Sequence, residues 1–509
     1  MFAKVYSATT LGLDGVLIEV EVDIANRGLP SFTIVGLPDK AVDEAKERVR
    51  TALIQSGFSM PDSRITVNLA PADIPKEGTI FDLPIAIGIL AASGLLKKEL
   101  FSSSLFLGEL SLDGRVRKVN GVINICLLAD KIGKKNIFVG TENVSEANLI
   151  DEMMVYPVYS LSDLVLHLNQ IKLIEPLKSL DLTLFNKISD EEVEFDFVDI
   201  KGQEQAKRGL IIAAAGFHNV HLKGPPGTGK TMLARAFLGI MPPITKKEMI
   251  EISQIYSVVG LLKNNRLIKK RPFRCPHHTI SKIGLIGGGS KPAPGEISLA
   301  HRGVLFLDEF AEFPHSVLES LRQPLEDGQV TVSRAFGSLT FPSRFLLLAA
   351  SNPCPCGYLG HPTKPCRCLP SAILKYRKRI SGPLLDRIDL HLEVPAITEE
   401  KLTSLEAGES TKKIKEKVIE ARERQEKRFK TNKIKTNGEM RSVDVKNFCR
   451  LTDGAVDLLK QAINRFSLSA RSYFKIIKVS QTIADLEGEE KIKEEFIAEA
   501  LQYREKEDW

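Results

Sequence analysis

The chain reads as an α/β protein with a helical C-terminal part, and three observations predict this. Residues 224–231, Gly-Pro-Pro-Gly-Thr-Gly-Lys-Thr, fit the pattern GxxxxGK[ST] between a short apolar strand, Val220 to Leu222, and a helix, Met232 to Ile240. Residues 1–170 alternate strand-like and helix-like segments, whereas residues 412–503 carry helical periodicity alone. Alternation of this kind is the pattern of sheets covered by helices.

A chain of 509 residues exceeds what one hydrophobic core serves, so roughly three units are expected. We place them at 1–170, 196–395 and 396–509, with 171–195 as a linker because Lys, Leu, Asp and Glu mix there without period. The net charge of +6 permits a nucleic-acid partner but is far from that of a protein that only coats DNA. Met1 to Ser7 has no apolar signal core, and the longest apolar run, Ile85 to Leu96, is too short to span a bilayer. A cytoplasmic protein without membrane contact is therefore expected. Four of the seven cysteines form one tight group, which in a reducing compartment points to metal or free thiols rather than disulfides.

In order, Val16 to Ile24 and Phe32 to Val35 read as strands and Ala41 to Gln55 as a helix. Ile65 to Leu69, a helix Leu83 to Ala92, Leu105 to Leu110, a helix Val122 to Ile132, Ile137 to Val139 and Val155 to Val158 follow. Ser160 or Ser162 could cap a short helix ending near Leu168. Pro75-Lys-Glu-Gly-Thr-Ile-Phe-Asp82 and the stretch Gly108 to Gly121, each followed by a helix, resemble the proteolytic domain of the Lon family, a ribosomal S5 domain 2-like fold. The Ser and Lys positions of that family fall at or next to Ile80 and Ile123, and an apolar side chain can neither attack a carbonyl nor accept a proton. The resemblance thus implies a non-proteolytic domain used for assembly or partner contact. Asp73, Lys76 and Glu77 could form a polar site there, but a solvated loop is the simpler expectation.

At the GxxxxGK[ST] stretch, the backbone of Gly224, Pro225, Pro226, Gly227, Thr228 and Gly229 would wrap nucleotide phosphates. Lys230 would neutralise the β and γ oxygens, and the Thr231 hydroxyl would hold Mg²⁺. Gly303-Val-Leu-Phe-Leu-Asp-Glu309 is an apolar strand ending in two acids, so Asp308 would hold Mg²⁺ and Glu309 would activate the attacking water. A third strand, Phe345 to Ala350, ends at Asn352, whose amide could position that water.

These motifs resemble AAA+ ATPases, which implies that the segment Phe197 to Gln203 wraps the adenine through Ile200 and Gly202 before a helix from Glu204 to Ala215. Ser381-Gly-Pro-Leu-Leu-Asp-Arg387 resembles the segment bearing the arginine finger of Mg-chelatase and MCM ATPases, with Arg377 and Arg379 as rival fingers; the alternative for Arg387 is a local ion pair with Asp386 or Asp389. A finger of this kind implies a ring, a homo-hexamer. The last residues read as helices Lys412 to Phe429, Val443 to Phe448, Asp453 to Arg465, Ala470 to Glu487 and Glu490 to Tyr503. They resemble an AAA+ lid in which Arg471 senses the γ-phosphate.

The excess length between the phosphate loop and Asp308 holds Arg271-Pro-Phe-Arg-Cys-Pro-His-His278 and the glycine-rich stretch 284–295. Gln329 to Arg334 and Ser338 to Phe341 read as a hairpin. Both features resemble the helix-two insert and pre-sensor hairpin of the Mg-chelatase and MCM group. Lys282, Lys291 and Arg334 are the cations expected to meet DNA phosphates, with a solvated surface as the alternative. His277 and His278 beside Cys275 are too closely spaced for the known metal-ligand sets. Cys354, Cys356, Cys366 and Cys368 could supply a tetrahedral structural Zn²⁺ site, although one residue within each pair is tighter than usual and reduced loop thiols remain the alternative. Taken whole, the order of segments resembles the YifB/ComM family. That implies ATP and Mg²⁺ as cofactors, and a DNA motor of the helicase or branch-migration kind in recombination or natural transformation. A Mg-chelatase-like or chaperone-type motor on a protein partner is the alternative.

Overall fold

In the computed structural model, all residues are described except 26–28, 98, 152, 178–194, 263–266, 290–291, 335–336, 397–407, 431–433 and 506–509. The chain divides into two compact units. One comprises Met1–Asp190 with Thr245–Lys269, and the other Glu191–Ile244 with Lys270–Trp509.

The first unit holds a mixed four-stranded sheet. Phe2–Leu11 pairs antiparallel with Asp14–Ile24, which pairs antiparallel with Arg64–Ala70, which pairs parallel with Ser31–Val35. The first of these strands was not anticipated, because two of its inward positions are polar. Ser7 and Thr9 are buried, and the Ser7 hydroxyl donates to the Phe106 carbonyl at 3.0 Å, so the alternation of apolar residues is masked. A second, parallel sheet is formed by Ser104–Phe106, Asn136–Gly140 and Met154–Val158. The expected strand 105–110 divides at Gly108, where a Cβ would lie 2.5 Å from Val116 Cγ1, and Glu109–Leu110 pairs separately with Val116–Arg117. The expected helix 41–55 is two, Lys40–Asp43 and Ala45–Gln55. Helix Asp82–Ala92 is buried along its whole length, which fits its lack of any polar face. Ser160 caps helix Leu161–Leu168 by accepting from Asp163 N. Helix Lys246–Val258, which falls in sequence within 196–395, belongs to this unit and packs on helix Val122–Lys131.

The second unit is built on a five-stranded sheet in the order Phe273–Arg274, Val304–Leu307, Leu346–Ser351, Val220–Lys223, Leu390–Glu393, with every neighbouring pair parallel. Val304–Leu307 is apolar throughout and Leu346–Ser351 is apolar up to its last residue, as a sheet covered on both faces requires. The hairpin Gln329–Arg334 with Gly337–Pro342 stands apart from it. The helical region follows: Thr411–Arg428, Ser442–Phe448, Asp453–Phe466, Ala470–Glu487 and Glu494–Gln502. Its first helix packs on helices Glu204–Gly216 and Lys230–Ile240, so the helical region and the sheet share one core. Among the described residues no helix is long and apolar enough to cross a membrane.

Candidate functional site

Because all five strands run parallel, their C-terminal ends lie on one edge, and the chain leaves that edge carrying the predicted polar residues. After Lys223 the backbone turns sharply. Gly227 and Gly229 have φ of 77° and 87°, left-handed values that glycine adopts without strain, and Gly229 caps helix Lys230–Ile240. The Lys230 side chain folds back into this turn. Its Nζ donates to the carbonyls of Gly224 and Pro225, both at 2.7 Å, and to Asn352 Oδ1 at 3.2 Å. Burial lowers its pKa from the usual lysine value, and the Asp308 charge counteracts this. Thr228 Oγ1 donates to the Pro225 carbonyl at 3.0 Å, which ties the two sides of the loop together.

The neighbouring strand delivers the acids. Thr231 Oγ1 donates to Asp308 Oδ2 at 2.9 Å, so the hydroxyl and carboxylate expected to share Mg²⁺ are already in contact. Asp308 Oδ1 accepts from Glu309 N at 2.9 Å. Glu309 has φ 51° and ψ 44°, a left-handed conformation rare for a non-glycine residue. Its Oε2 lies 3.3 Å from His278 Nδ1. Sequence reasoning tested His277 and His278 only as metal ligands. The structure sets their rings 4.1 Å apart and tilted by 35°, with His278 beside the acid. The available signal was topological: Phe273–Arg274 pairs parallel with Val304–Leu307, so residues just beyond both strands emerge together. Arg274 is fixed there by Glu296, at 2.5 Å and 2.6 Å.

At the far side of the loop, Ile200 is buried in the same core as Leu222 and Leu233. Gly202 and Gln203 both have φ of 63° and turn the chain into helix Glu204–Gly216, and Gln203 Nε2 donates to the Pro395 carbonyl at 2.6 Å.

Arg387 does not make the local ion pair that was the alternative to a finger role. Arg387 donates to the Pro383 carbonyl at 2.6 Å and to the Glu326 carboxylate, not to Asp386 or Asp389, and its side chain is only 13% exposed. Arg471 Nη2 lies 3.6 Å from the other oxygen of Glu326, with Asp386 at 4.0 Å. Two arginines expected at separate places thus converge on one carboxylate that sequence reasoning missed. Arg379 is engaged by Glu312 at 2.5 Å and the Ala311 carbonyl at 3.3 Å.

Lys282 is exposed at the start of helix Lys282–Ile286. Lys291 lies outside the described residues, as does the side chain of Arg334. In the first unit, Ile80 and Ile123 are both buried. Lys76 is not part of a solvated loop: its side chain is fully buried and its Nζ donates to the Pro71 carbonyl, whereas Asp73 and Glu77 are exposed.

Beyond Asn352 the four cysteines come together. Cys354 Sγ lies 3.4 Å from Cys356 Sγ and 3.7 Å from Cys366 Sγ, Cys356 lies 3.6 Å from Cys366, and all four sulfurs fall within 4.8 Å of one another. Backbone N–H groups of Tyr358 and Arg367 donate to Cys356 Sγ, lowering its pKa to about 6.

Comparison with known proteins places each part of the chain. The family described as "Magnesium chelatase, subunit ChlI" matches residues 196–402, "Subunit ChlI of Mg-chelatase" matches 20–143, and "Magnesium chelatase, subunit ChlI C-terminal" matches 408–504. The chain is 46% identical over 511 residues to the competence protein ComM of Haemophilus influenzae, covering 99% of this chain and 97% of that protein. It is 42% identical over 502 residues to the uncharacterized protein YifB of Escherichia coli, covering 98% and 96%. Similarity to the magnesium-chelatase subunit ChlI of Euglena gracilis is 28% over 195 residues, 33% of this chain and 55% of that one.

Proposed function

Since the chain belongs to the YifB/ComM family of magnesium-chelatase-like AAA ATPases, we propose that it is a ring motor that hydrolyses ATP to act on DNA, as a helicase or branch-migration factor in recombination or natural transformation. The observation that carries the ATPase half is the convergence of Lys230, Thr231, Asp308, Glu309 and Asn352 at one sheet edge. The DNA half rests on the resemblance of the 271–295 insert and the hairpin Gln329–Arg334 with Gly337–Pro342 to elements of the Mg-chelatase and MCM group, and a relative aligned along nearly its full length is named a competence protein.

The loop amides of residues 224–229 would receive the phosphates, with Ile200 and Gly202 against the adenine. The Lys230 ammonium would exchange its carbonyl partners for phosphate oxygens. Thr231 and Asp308 would hold Mg²⁺, which when bound neutralises charge developing between the β and γ phosphates. Glu309 would take a proton from water as its oxygen bonds to the γ-phosphorus and the bond from that phosphorus to the ADP oxygen breaks. Asn352 would orient the water. Arg387 would act on the site of the neighbouring subunit in a hexamer, and Arg471 on the γ-phosphate of its own chain. Lys282, Lys291 and Arg334 would face the DNA backbone. Residues 1–170, a Lon-like fold lacking the Ser and Lys, would serve assembly or partner contact rather than proteolysis.

A motor working on a protein partner is the second reading, favoured because all three matching families are described by a magnesium-chelatase subunit. Steady-state ATP hydrolysis with and without single-stranded and branched DNA, at low and high salt, separates them. Strong stimulation that weakens as salt rises is the expected result. Hydrolysis indifferent to DNA would leave the ATPase and overturn the DNA motor.

A further inference from the structure

Between Asn352 and helix Pro370–Arg377 the chain forms no helix or strand, and of residues 353–369 only Pro353, Cys354 and Gly357 are buried. Apolar burial therefore does little to fix this loop, yet it closes on itself through four sulfurs. Their closest separations, 3.4, 3.6 and 3.7 Å, are much longer than a disulfide bond of about 2 Å. They match the edge of about 3.8 Å expected for a tetrahedron of Zn–S bonds of about 2.3 Å. All four converge on one point, which suits a single ion rather than an iron–sulfur cluster. Among the described residues this is the only group of three or more His, Cys, Asp or Glu side chains so placed.

The same loop touches the nucleotide site. Gly357 has φ 82°, and a Cβ there would lie 2.6 Å from Pro226 Cδ and 3.8 Å from Asn352 Cγ, so the turn that carries Cys354 and Cys356 rests against both the phosphate loop and the amide that accepts from Lys230. We propose that Cys354, Cys356, Cys366 and Cys368 hold one structural Zn²⁺ ion, and that this ion positions Asn352 and supports the phosphate loop through Pro226. The cysteines are ligands and the positioning is indirect. Only this second clause rests on the ATPase reading.

Full-length protein from zinc-replete cells, exhaustively dialysed, should contain one zinc per chain by elemental analysis. Protein grown with Co²⁺ should show the absorption of a tetrahedral cobalt thiolate. Combined Cys366→Ser and Cys368→Ser should abolish both, whereas Lys230→Ala should lose nucleotide binding and keep its zinc, so the two readings fail separately. In the double serine variant kcat should fall on the order of tenfold with the KM for ATP little changed. Cys366→His, which can still ligate zinc, should restore most of the rate. Should the double variant not fold, a mercurial can displace zinc from the wild-type protein, with release read by a coloured chelator and ATPase measured on the same sample. Metal-free protein, iron in place of zinc, or zinc retained by the double variant would overturn the site. Unchanged hydrolysis after zinc release would overturn the positioning role.

Discussion

Lys230 makes three short contacts with oxygens of its own chain, and a nucleotide must compete with them. Charge-assisted bonds contribute about 1.5–3 kcal/mol each, so Lys230→Ala should weaken Mg-ATP binding by roughly a hundredfold or more in calorimetric titration. Glu309→Gln should leave binding intact and slow turnover by about 10²–10⁴, the usual effect of losing a general base. Normal hydrolysis by that variant would remove Glu309 from the role. His278 Nδ1 lies 3.3 Å from the Glu309 carboxylate, so His278→Ala should lower kcat about tenfold without raising the KM for ATP, and a raised KM with kcat unchanged would instead mark lost binding. Lys230, Thr231, Asp308 and Glu309 were legible in the sequence because each belongs to a contiguous motif whose strand and helix could be read beside it. His278 was not, because its partner lies on another strand and only parallel pairing of the two brings them together.

Helix Arg322–Asp327 links two elements that sequence reasoning treated separately. Its Glu326 accepts from Arg387, which follows helix Gly382–Leu385, and lies 3.6 Å from Arg471 on helix Ala470–Glu487. Helix Ala470–Glu487 was legible to the residue, since Ser469 caps it and Gly488 ends it in a left-handed turn, whereas the single turn Gly382–Leu385 was not read as a helix. The shared carboxylate was not legible, because nothing local marks Glu326 as a partner for either arginine. Its side chain is 53% exposed, so Glu326→Gln should shift the melting temperature little, as surface pairs contribute about 0–1 kcal/mol. If Arg387 serves a neighbouring subunit, releasing it should also lower the protein concentration needed for half-maximal ATPase activity. The direct check mixes Arg387→Ala with Lys230→Ala chains. Each is inactive alone, and recovered hydrolysis in the mixture shows that Arg387 acts across subunits. No recovery in a mixture shown by cross-linking to co-assemble places Arg387 within its own chain.

At the scale of the molecule, the chain crosses between the two units three times, and the segment Thr245–Lys269 is the part that sequence order could not place. Its helix has buried Met249, Ile252, Ile255 and Tyr256, an ordinary apolar face that says nothing about which partner covers it. The structure seats it on helix Val122–Lys131, with Gly121 N donating to the Ser257 carbonyl at 3.2 Å and the Ser257 hydroxyl donating to Glu146. Glu146 is nearly fully buried and also accepts from Asn143 at 3.1 Å. Burial raises its pKa above the usual carboxylate value, while Ser257 and Asn143 oppose the shift. A carboxyl whose folded pKa is raised contributes stability below its unfolded pKa and loses it as pH rises through the folded value. Ser257→Ala removes a donor that favours the charged form, so it should cost about 1–3 kcal/mol once the carboxyl is ionised and less in acid, where it is protonated. Hydrogen exchange on the full chain reads this by region: the amides of helix Val122–Lys131 should exchange faster in the variant, more so at alkaline than at acidic pH. Those of strand Val220–Lys223 should not change, because Ser257 belongs to the first unit's core. Faster exchange in that strand alone would assign the segment to the nucleotide-binding unit instead.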